Sequence, residues 1–154
     1  EAMKFPPVGT RGLDGVGPEA DFGLRPLKEY LAEANRENFL IIQIEDPAVI
    51  PHIDAIAATP GVDVLFVGPG DLSTALGDPG NADHPEVVEV MKTVVAACEK
   101  HGKTAAVPTA PATIRKYLDM GFRFFNVASD YRFLVAGLKN TQAELAAEGV
   151  ELKK

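Results

Sequence analysis

Cysteine is nearly missing from this sequence. Cys98 stands alone among 154 residues, which excludes an internal disulfide framework and is compatible with a reducing compartment. Basic charge is in deficit as well. Lys and Arg total 15 against 22 Asp and Glu, a formal net charge of −7, and no basic block is longer than Lys153-Lys154. Phosphate backbones and anionic membranes are repelled on average, so neither nucleic acid nor a membrane surface is expected as a partner. No apolar run approaches the length of a bilayer span. No signal-peptide pattern opens the sequence, and a cytoplasmic setting is the expectation.

What is present is ordinary globular composition, with 46% hydrophobic and 24% charged residues, 14 Gly and 12 Pro. The length suits a single domain over residues 1–154 with a real core. The opening Glu1-Ala2-Met3-Lys4-Phe5-Pro6-Pro7 reads as the tail of a helix cut in mid-course. The expectation is therefore a piece of a longer polypeptide, with a processed or tagged terminus as the alternative.

A Gly- and Pro-rich loop is expected over residues 1–25, followed by regular alternation over 26–127 and a last helix within 128–150. Pro26 suits the first position of a helix running to about Glu37, with Tyr30, Leu31 and Ala34 on one face. Phe39 to Ile44 reads as a buried strand. Asp46-Pro47 restarts a helix as N-cap and first residue, with Ile50, Ile53 and Ile56 inward, and Pro60-Gly61 ends it. A second strand is expected over Val62–Val67, and a helical turn over Leu72–Leu76. A long helix follows over Pro85–His101, stopped by Gly102. A third strand spans Thr104–Val107, a helix Pro111–Met120 with Ile114, Tyr117 and Leu118 inward, and a fourth strand Phe122–Val127. An amphipathic helix over Asp130–Glu148 completes the pattern. Strand and helix alternating, with near-continuous apolar strands, predict a parallel sheet covered by helices. Four such strands make either a small open sheet or half of an eight-stranded barrel.

In both architectures the chemistry belongs at the carboxyl ends of the strands. There the first strand carries Gln43 and Glu45, which share a face because they are two residues apart. The second runs into Gly68-Pro69-Gly70-Asp71-Leu72-Ser73, whose glycines allow backbone N–H groups close to a ligand. Two hard carboxylates, Glu45 and Asp71, at neighbouring strand ends suit an Mg²⁺-like ion that keeps waters and takes substrate oxygens. Zinc suits them less, since no histidine is near either acid. The plainer alternatives are Asp71 as a helix cap, Glu45 in an ordinary salt bridge and Gly68-Pro69-Gly70 as a tight turn. Other chemistries find less support. Lys103 precedes its strand and the remaining lysines of the alternating region fall on helices, which disfavours a Schiff base. Ser73 and Ser129 have no paired base. The glycine turn lacks the third glycine of a dinucleotide fingerprint. Cys98 sits at an apolar helix position as an inert thiol, His101 at a helix end and His84 at a helix start.

Gln43-Ile44-Glu45, together with the run Gly61 to Ser73, resembles the HpcH/HpaI family of divalent-metal-dependent aldolases that cleave 2-keto-3-deoxy acids, including 4-hydroxy-2-oxoheptanedioate. Phe5-Pro6-Pro7-Val8-Gly9-Thr10-Arg11-Gly12 and Asp78-Pro79-Gly80-Asn81 with His84-Pro85-Glu86-Val87 are similar to it too, and the spacing of the two acids agrees. The resemblance implies a (β/α)₈ barrel of which this chain supplies strands five to eight. It implies Glu45 and Asp71 as ligands of Mg²⁺ or Mn²⁺, with Co²⁺ equally compatible with oxygen donors. Gln43 would touch the pyruvyl group, and the Gly70 and Asp71 amides would hold its carboxylate. Gly68 and Pro69 would shape the loop, and Pro108 would make an apolar contact to substrate.

The implied reaction is cleavage of a keto acid to pyruvate and an aldehyde through a pyruvate enolate. Oxaloacetate decarboxylation on the same site is a neighbouring alternative. A non-catalytic binding or regulatory domain, including a receiver-type phosphorylation domain, is the alternative of a different class. The family's catalytic arginine and its histidine–aspartate pair belong to the barrel's first half, and none of the arginines present takes that role by position. This chain alone is therefore expected to be incomplete as a catalyst. The resemblance further implies a homo-oligomer, a hexamer built from dimers, with the last helix on a neighbouring barrel.

Overall fold

The computed structural model describes residues 2–150. Four strands, β1 (Ile41–Ile44), β2 (Val64–Val67), β3 (Thr104–Pro108) and β4 (Phe124–Asn126), pair in parallel in the order β1-β2-β3-β4. Between and around them lie α1 (Leu27–Glu37), α2 (Ile53–Ala58), α3 (Pro69–Ala75), α4 (Pro85–His101), α5 (Ile114–Met120) and α6 (Asp130–Ala147). Parallel neighbours in sequence order, joined by right-handed crossovers, put every connecting helix on one face of the sheet. Among the described residues the other face carries no helix. This is the winding of a barrel, not of a doubly wound sheet.

Alternate residues therefore meet different surroundings. Ile44, Leu65, Val67, Ala105 and Val107 pack beneath Ile53 and Ala57 of α2, Val87, Met91, Val94 and Cys98 of α4, and Tyr117 of α5. The α4 residues recur at intervals of four, three and four, one stripe of a helix. Burying each such side chain contributes about 1.5–3 kcal/mol. On the opposite face, Ile41 is 39% exposed and Phe39, just before β1, is 49% exposed. The ring of Phe39 meets Phe124 of β4 edge-on at 6.0 Å. Strands three spacings apart lie about 14 Å from each other in a flat sheet, so the sheet curls strongly around its bare face.

The helices begin and end where the sequence supplies the chemistry. His84 Nδ1 accepts the Glu86 N–H at 3.3 Å at the start of α4, Pro85 needs no acceptor, and Gly102 takes φ +65° at its end. Asp46 caps the next segment as expected, accepting the Ala48 N–H at 2.8 Å. That segment is a 3-10 turn over Pro47–His52 before α2 begins, because Pro51 lacks the N–H an α-helix would use there. Helix α3 starts at Pro69, earlier than the sequence pattern suggested, and α5 starts at Ile114, later. In the latter case residues 110–113 form a turn in which Thr113 Oγ1 lies 3.3 Å from the Ala110 N–H. Ala2 and Met3 form a turn and Lys4 a bend, not the end of a helix.

A second, smaller cluster anchors the leading loop. Phe5, Ala20 and Tyr30 are buried together, with Phe5 and Tyr30 edge-on at 5.8 Å. Asn35 binds both backbone groups of Phe5: its Oδ1 accepts the N–H at 2.6 Å and its Nδ2 donates to the carbonyl at 3.0 Å.

Helix α6 stands apart from the core, so packing within this chain, one of the two options its amphipathic pattern leaves, is not what the structure contains. None of its residues is buried, and Phe133 and Leu134 are 69% and 65% exposed. Among the described residues its apolar side has no covering partner.

Candidate active site

The site is built at the carboxyl edge of the bare face. Glu45 is the first residue beyond β1, half-buried, and Gln43 is on the same face. The Gln43 Nε2 amide donates a hydrogen bond to Glu45 Oε2, which fixes the carboxylate. On the next strand, the Gly68 N–H donates to the Ile44 carbonyl at 2.9 Å, carrying the β1–β2 ladder one step further. Gly68 is the position where a side chain would not fit. A Cβ there would lie 2.8 Å from the Glu45 Cβ, 3.0 Å from its Oε2 and 3.5 Å from the Gln43 amide nitrogen. The glycine thus makes room for the side chain of Glu45.

Asp71 lies in the first turn of α3, with the Leu72 N–H bonded to the Gly68 carbonyl at 3.1 Å. Gly68, not Asp71, is the N-cap, and no side chain caps this helix. Asp71 is exposed, and neither it nor Glu45 takes part in any ion pair among the described residues. The cap and salt-bridge alternatives are therefore not what the structure contains. Ser73 is fully buried and structural: its hydroxyl donates to the Gly70 carbonyl at 2.9 Å and accepts the Gly80 N–H at 3.1 Å, holding the first turn of α3 against the following loop. The amide groups of Gly70 and Asp71, at a helix start, have no intrahelical acceptor.

Register extends the row. Gln43 pairs with Phe66, Phe66 with Ala106 and Pro108 with Asn126. Two residues further along each strand, Glu45, Gly68, Pro108 and Asn126 lie in one line across the sheet. Pro108 is half-buried in that line. Glu45, Gln43, Gly68 and Pro69 are brought together, with Gly70 and Asp71 within one helical turn, and Pro108 is on the adjoining strand. No group of three or more His, Cys, Asp and Glu side chains able to hold a metal exists among the described residues. Two carboxylates, one of them beside an amide, offer the hard oxygen chemistry of Mg²⁺ or Mn²⁺ with water completing the shell, and Gly68 leaves Glu45 the space to take its place at this edge.

Several other titratable groups are engaged elsewhere in the fold. Burial pushes the Cys98 thiol above its ordinary range. Lys100 Nζ at 2.8 Å and His101 Nε2 at 3.0 Å converge on Asp54 Oδ1, tying α4 to α2, and Lys100 first and His101 second hold Asp54 below the ordinary aspartate range. Lys92 and Lys116 pair with Glu89 and Asp83 on the surface. The sequence reading overlooked Arg132. It follows β4 at the carboxyl side of the sheet and borders a cleft of about 430 Å³ with Pro108, Asn126, Ser129 and Tyr131. Its signal was its place, three residues after Ser129 at the end of the last βα unit.

Residues 1–136 match the family described as HpcH/HpaI aldolase/citrate lyase. A 5-keto-4-deoxy-D-glucarate aldolase of Klebsiella pneumoniae is 42% identical over 131 residues, covering 84% of this chain and 50% of that protein. The chain spans about half the length of the curated relatives it matches. Among solved structures, an HpcH/HpaI aldolase/citrate lyase family protein of Burkholderia cenocepacia is 36% identical with a TM-score of 0.77, covering 94% of this chain and 57% of that one. An HpcH/HpaI aldolase of Desulfitobacterium hafniense is 32% identical with a TM-score of 0.75, covering 99% and 57%.

Proposed function

Because the chain belongs to the HpcH/HpaI aldolase/citrate lyase family, we propose that it carries the metal-binding edge of a class II aldolase that cleaves a 2-keto-3-deoxy acid to pyruvate and an aldehyde. The observation that carries this reading is the Glu45 carboxylate, held by the Gln43 amide against side-chain-free Gly68, with Asp71 in the adjoining helical turn and unpaired among the described residues. Glu45 and Asp71 are the ligands of a divalent cation, Mg²⁺ or Mn²⁺, with Co²⁺ also compatible. When bound, the cation supplies Lewis acidity to the keto acid and offsets the negative charge of the pyruvate enolate.

The chain's own groups do the rest of the positioning. Gln43 holds Glu45 in one orientation and presents its amide toward the pyruvyl group. The Gly70 and Asp71 N–H groups, without intrahelical acceptors, receive the substrate carboxylate. Pro69 fixes the turn that aims them, and Pro108 forms an apolar wall. Proton transfer at the aldehyde oxygen is assigned, by the family resemblance, to a bound water or to groups outside this chain. A homo-oligomer, a hexamer by family resemblance, accounts for the uncovered apolar side of α6.

The test is deuterium incorporation at the pyruvate methyl group in D₂O, measured on the active assembly that contains this chain. Exchange that requires Mg²⁺ or Mn²⁺ and stops with chelator is expected. Absence of exchange with every divalent metal contradicts the reading and favours a non-catalytic binding domain.

A further inference from the structure

We propose that Ser73 is a positioning residue of the site: its buried hydroxyl, linking the Gly80 N–H to the Gly70 carbonyl, sets the Gly70–Asp71 peptide and with it the place of Asp71. The inference rests on the aldolase reading above and deepens it, by assigning a role to a residue that touches neither cation nor substrate.

Burial comes first. Ser73 is 0% exposed, and no other serine, threonine, amide or charged side chain among the described residues is buried. A hydroxyl in such a place is costly unless it is bonded, and this one is bonded on both sides. It donates to the Gly70 carbonyl at 2.9 Å and accepts the Gly80 N–H at 3.1 Å. The directions are fixed, since a carbonyl only accepts and an amide N–H only donates. Thr59, Thr93 and Thr141 also bond back to a carbonyl four residues earlier, a common habit of hydroxyls in helices. Those three are exposed, and none of them receives a hydrogen bond from another segment among the described residues. Ser73 joins two segments.

The far end of the link is itself anchored. The Asp78 N–H donates to the Ser73 carbonyl at 2.9 Å, the Asn81 N–H to the Asp78 carbonyl at 3.2 Å, and Asn81 Nδ2 to Asp78 Oδ2 at 2.7 Å. Gly80 takes φ +82°, a backbone that a side chain would disfavour, and in that conformation its N–H reaches Ser73. The Asp78–Asn81 stretch, part of the family resemblance, thereby acquires a task at the site.

The near end reaches Asp71 through one peptide bond. The Gly70 carbonyl and the Asp71 N–H belong to a single rigid plane and point opposite ways across it. Holding the carbonyl aims the N–H and sets the Cα from which the Asp71 carboxylate extends. Thr74 Oγ1 donates to the same carbonyl at 2.8 Å from the exposed side, so two hydroxyls grip this peptide. Hydrogen bonds in a chain polarise one another. The Gly80 N–H makes the Ser73 hydroxyl a stronger donor, and the hydroxyl on the Gly70 carbonyl makes the Asp71 N–H a stronger donor toward a carboxylate.

The experiment compares wild type, Ser73→Ala and Ser73→Cys in the active assembly that contains this chain. It reads Mn²⁺ affinity by electron paramagnetic resonance, KM for pyruvate in the methyl-exchange reaction, amide hydrogen exchange over residues 70–81, and melting temperature. Ser73→Ala should weaken Mn²⁺ binding and raise KM for pyruvate by about 10-fold or more, the range for losing a group that orients metal ligands, and should speed exchange at the Asp71 and Gly80 amides. Ser73→Cys, close in shape but a weak donor, should act in the same direction, and it carries the comparison under the same criteria where the alanine variant does not fold. A serine that only holds the fold together would lower the melting temperature and leave the Mn²⁺ affinity and pyruvate KM of the folded protein at wild-type values. That result, with metal-dependent exchange present in the wild type, overturns the Ser73 assignment and leaves the enolate site standing. If the wild type shows no exchange with any divalent metal, the enolate site fails and the Ser73 role falls with it.

Discussion

The two faces of one sheet divide the work of this molecule. On the helix-covered face, Ile44, Leu65, Val67 and Val107 are fully buried and share a core with α2, α4 and α5. On the bare face, the residues one step along the same strands are Gln43, Phe66, Ala106 and Phe124, and beyond them the row of Glu45, Gly68, Pro108 and Asn126. One face supplies stability through closely packed apolar groups. The other presents a carboxylate, an amide and an open edge. Because side chains alternate along a strand, a sequence two residues long can serve both, and substitutions at neighbouring positions should report on different properties.

The largest expected effect on stability is on the covered face. Leu65→Ala should cost about 2–5 kcal/mol, the range for emptying a fully buried leucine site, whereas Ile41→Ala, 39% exposed on the bare face, should cost less than about 1 kcal/mol. Urea unfolding of both variants measures the contrast; equal losses would break the division between the faces. Next in size, Gly68→Ala should lower Mn²⁺ affinity by about 10-fold or more, in the range seen when groups that orient metal ligands are disturbed. The added methyl meets Glu45 at 2.8–3.0 Å and pushes the carboxylate from its place, while the covered face is untouched. Calorimetric titration with Mn²⁺ alongside a melting curve separates the two effects. Unchanged affinity would remove Gly68 from the site.

The smallest expected effect lies outside both faces, at the Lys100–His101–Asp54 contact between α4 and α2. Asp54 is held below its ordinary range in the folded state, first by Lys100 and then by His101. The sign follows: its stabilisation is present above the unfolded aspartate pKa, about 3.9, and is lost as pH falls through the lower folded value. Asp54→Asn should therefore be slightly less stable than wild type at pH 7, with the difference vanishing below the folded pKa. A difference that persists at strongly acid pH would show that packing, not charge, joins these helices.

Much of the fold was legible in the residues, because particular signals agreed. Pro85 and Gly102 bracket α4 to the residue, and the Asp46 cap and all four strands are where apolar runs and turn residues point. Boundaries slipped where local chemistry competed with pattern: Pro51 splits a helical segment into a 3-10 turn and a short helix, Pro69 starts α3 early, and Thr113 delays α5 by bonding to Ala110. Gln43, Glu45, Gly68 and Asp71 stood out as polar or side-chain-free residues at the ends of apolar strands. What they do to one another was not visible in one dimension. Gly68 reads as a residue that lets a ligand near the backbone, yet in the structure it first makes room for Glu45. The bare face was equally hidden, since Ile41 and Leu65 have similar composition-level signals and differ only in what packs on them. For α6 the pattern stops at the same point: an amphipathic sequence says that one side is covered without saying by what, and only the family resemblance suggests a neighbouring barrel.

The most direct test of the central claim is Mn²⁺ binding followed by electron paramagnetic resonance on wild type, Glu45→Gln and Asp71→Asn. The account predicts one saturable site in the wild type, with affinity lowered by more than about 100-fold in each variant, beyond the effect expected of merely orienting groups, and with melting temperatures unchanged. Mn²⁺ binding of equal strength in all three proteins would contradict it.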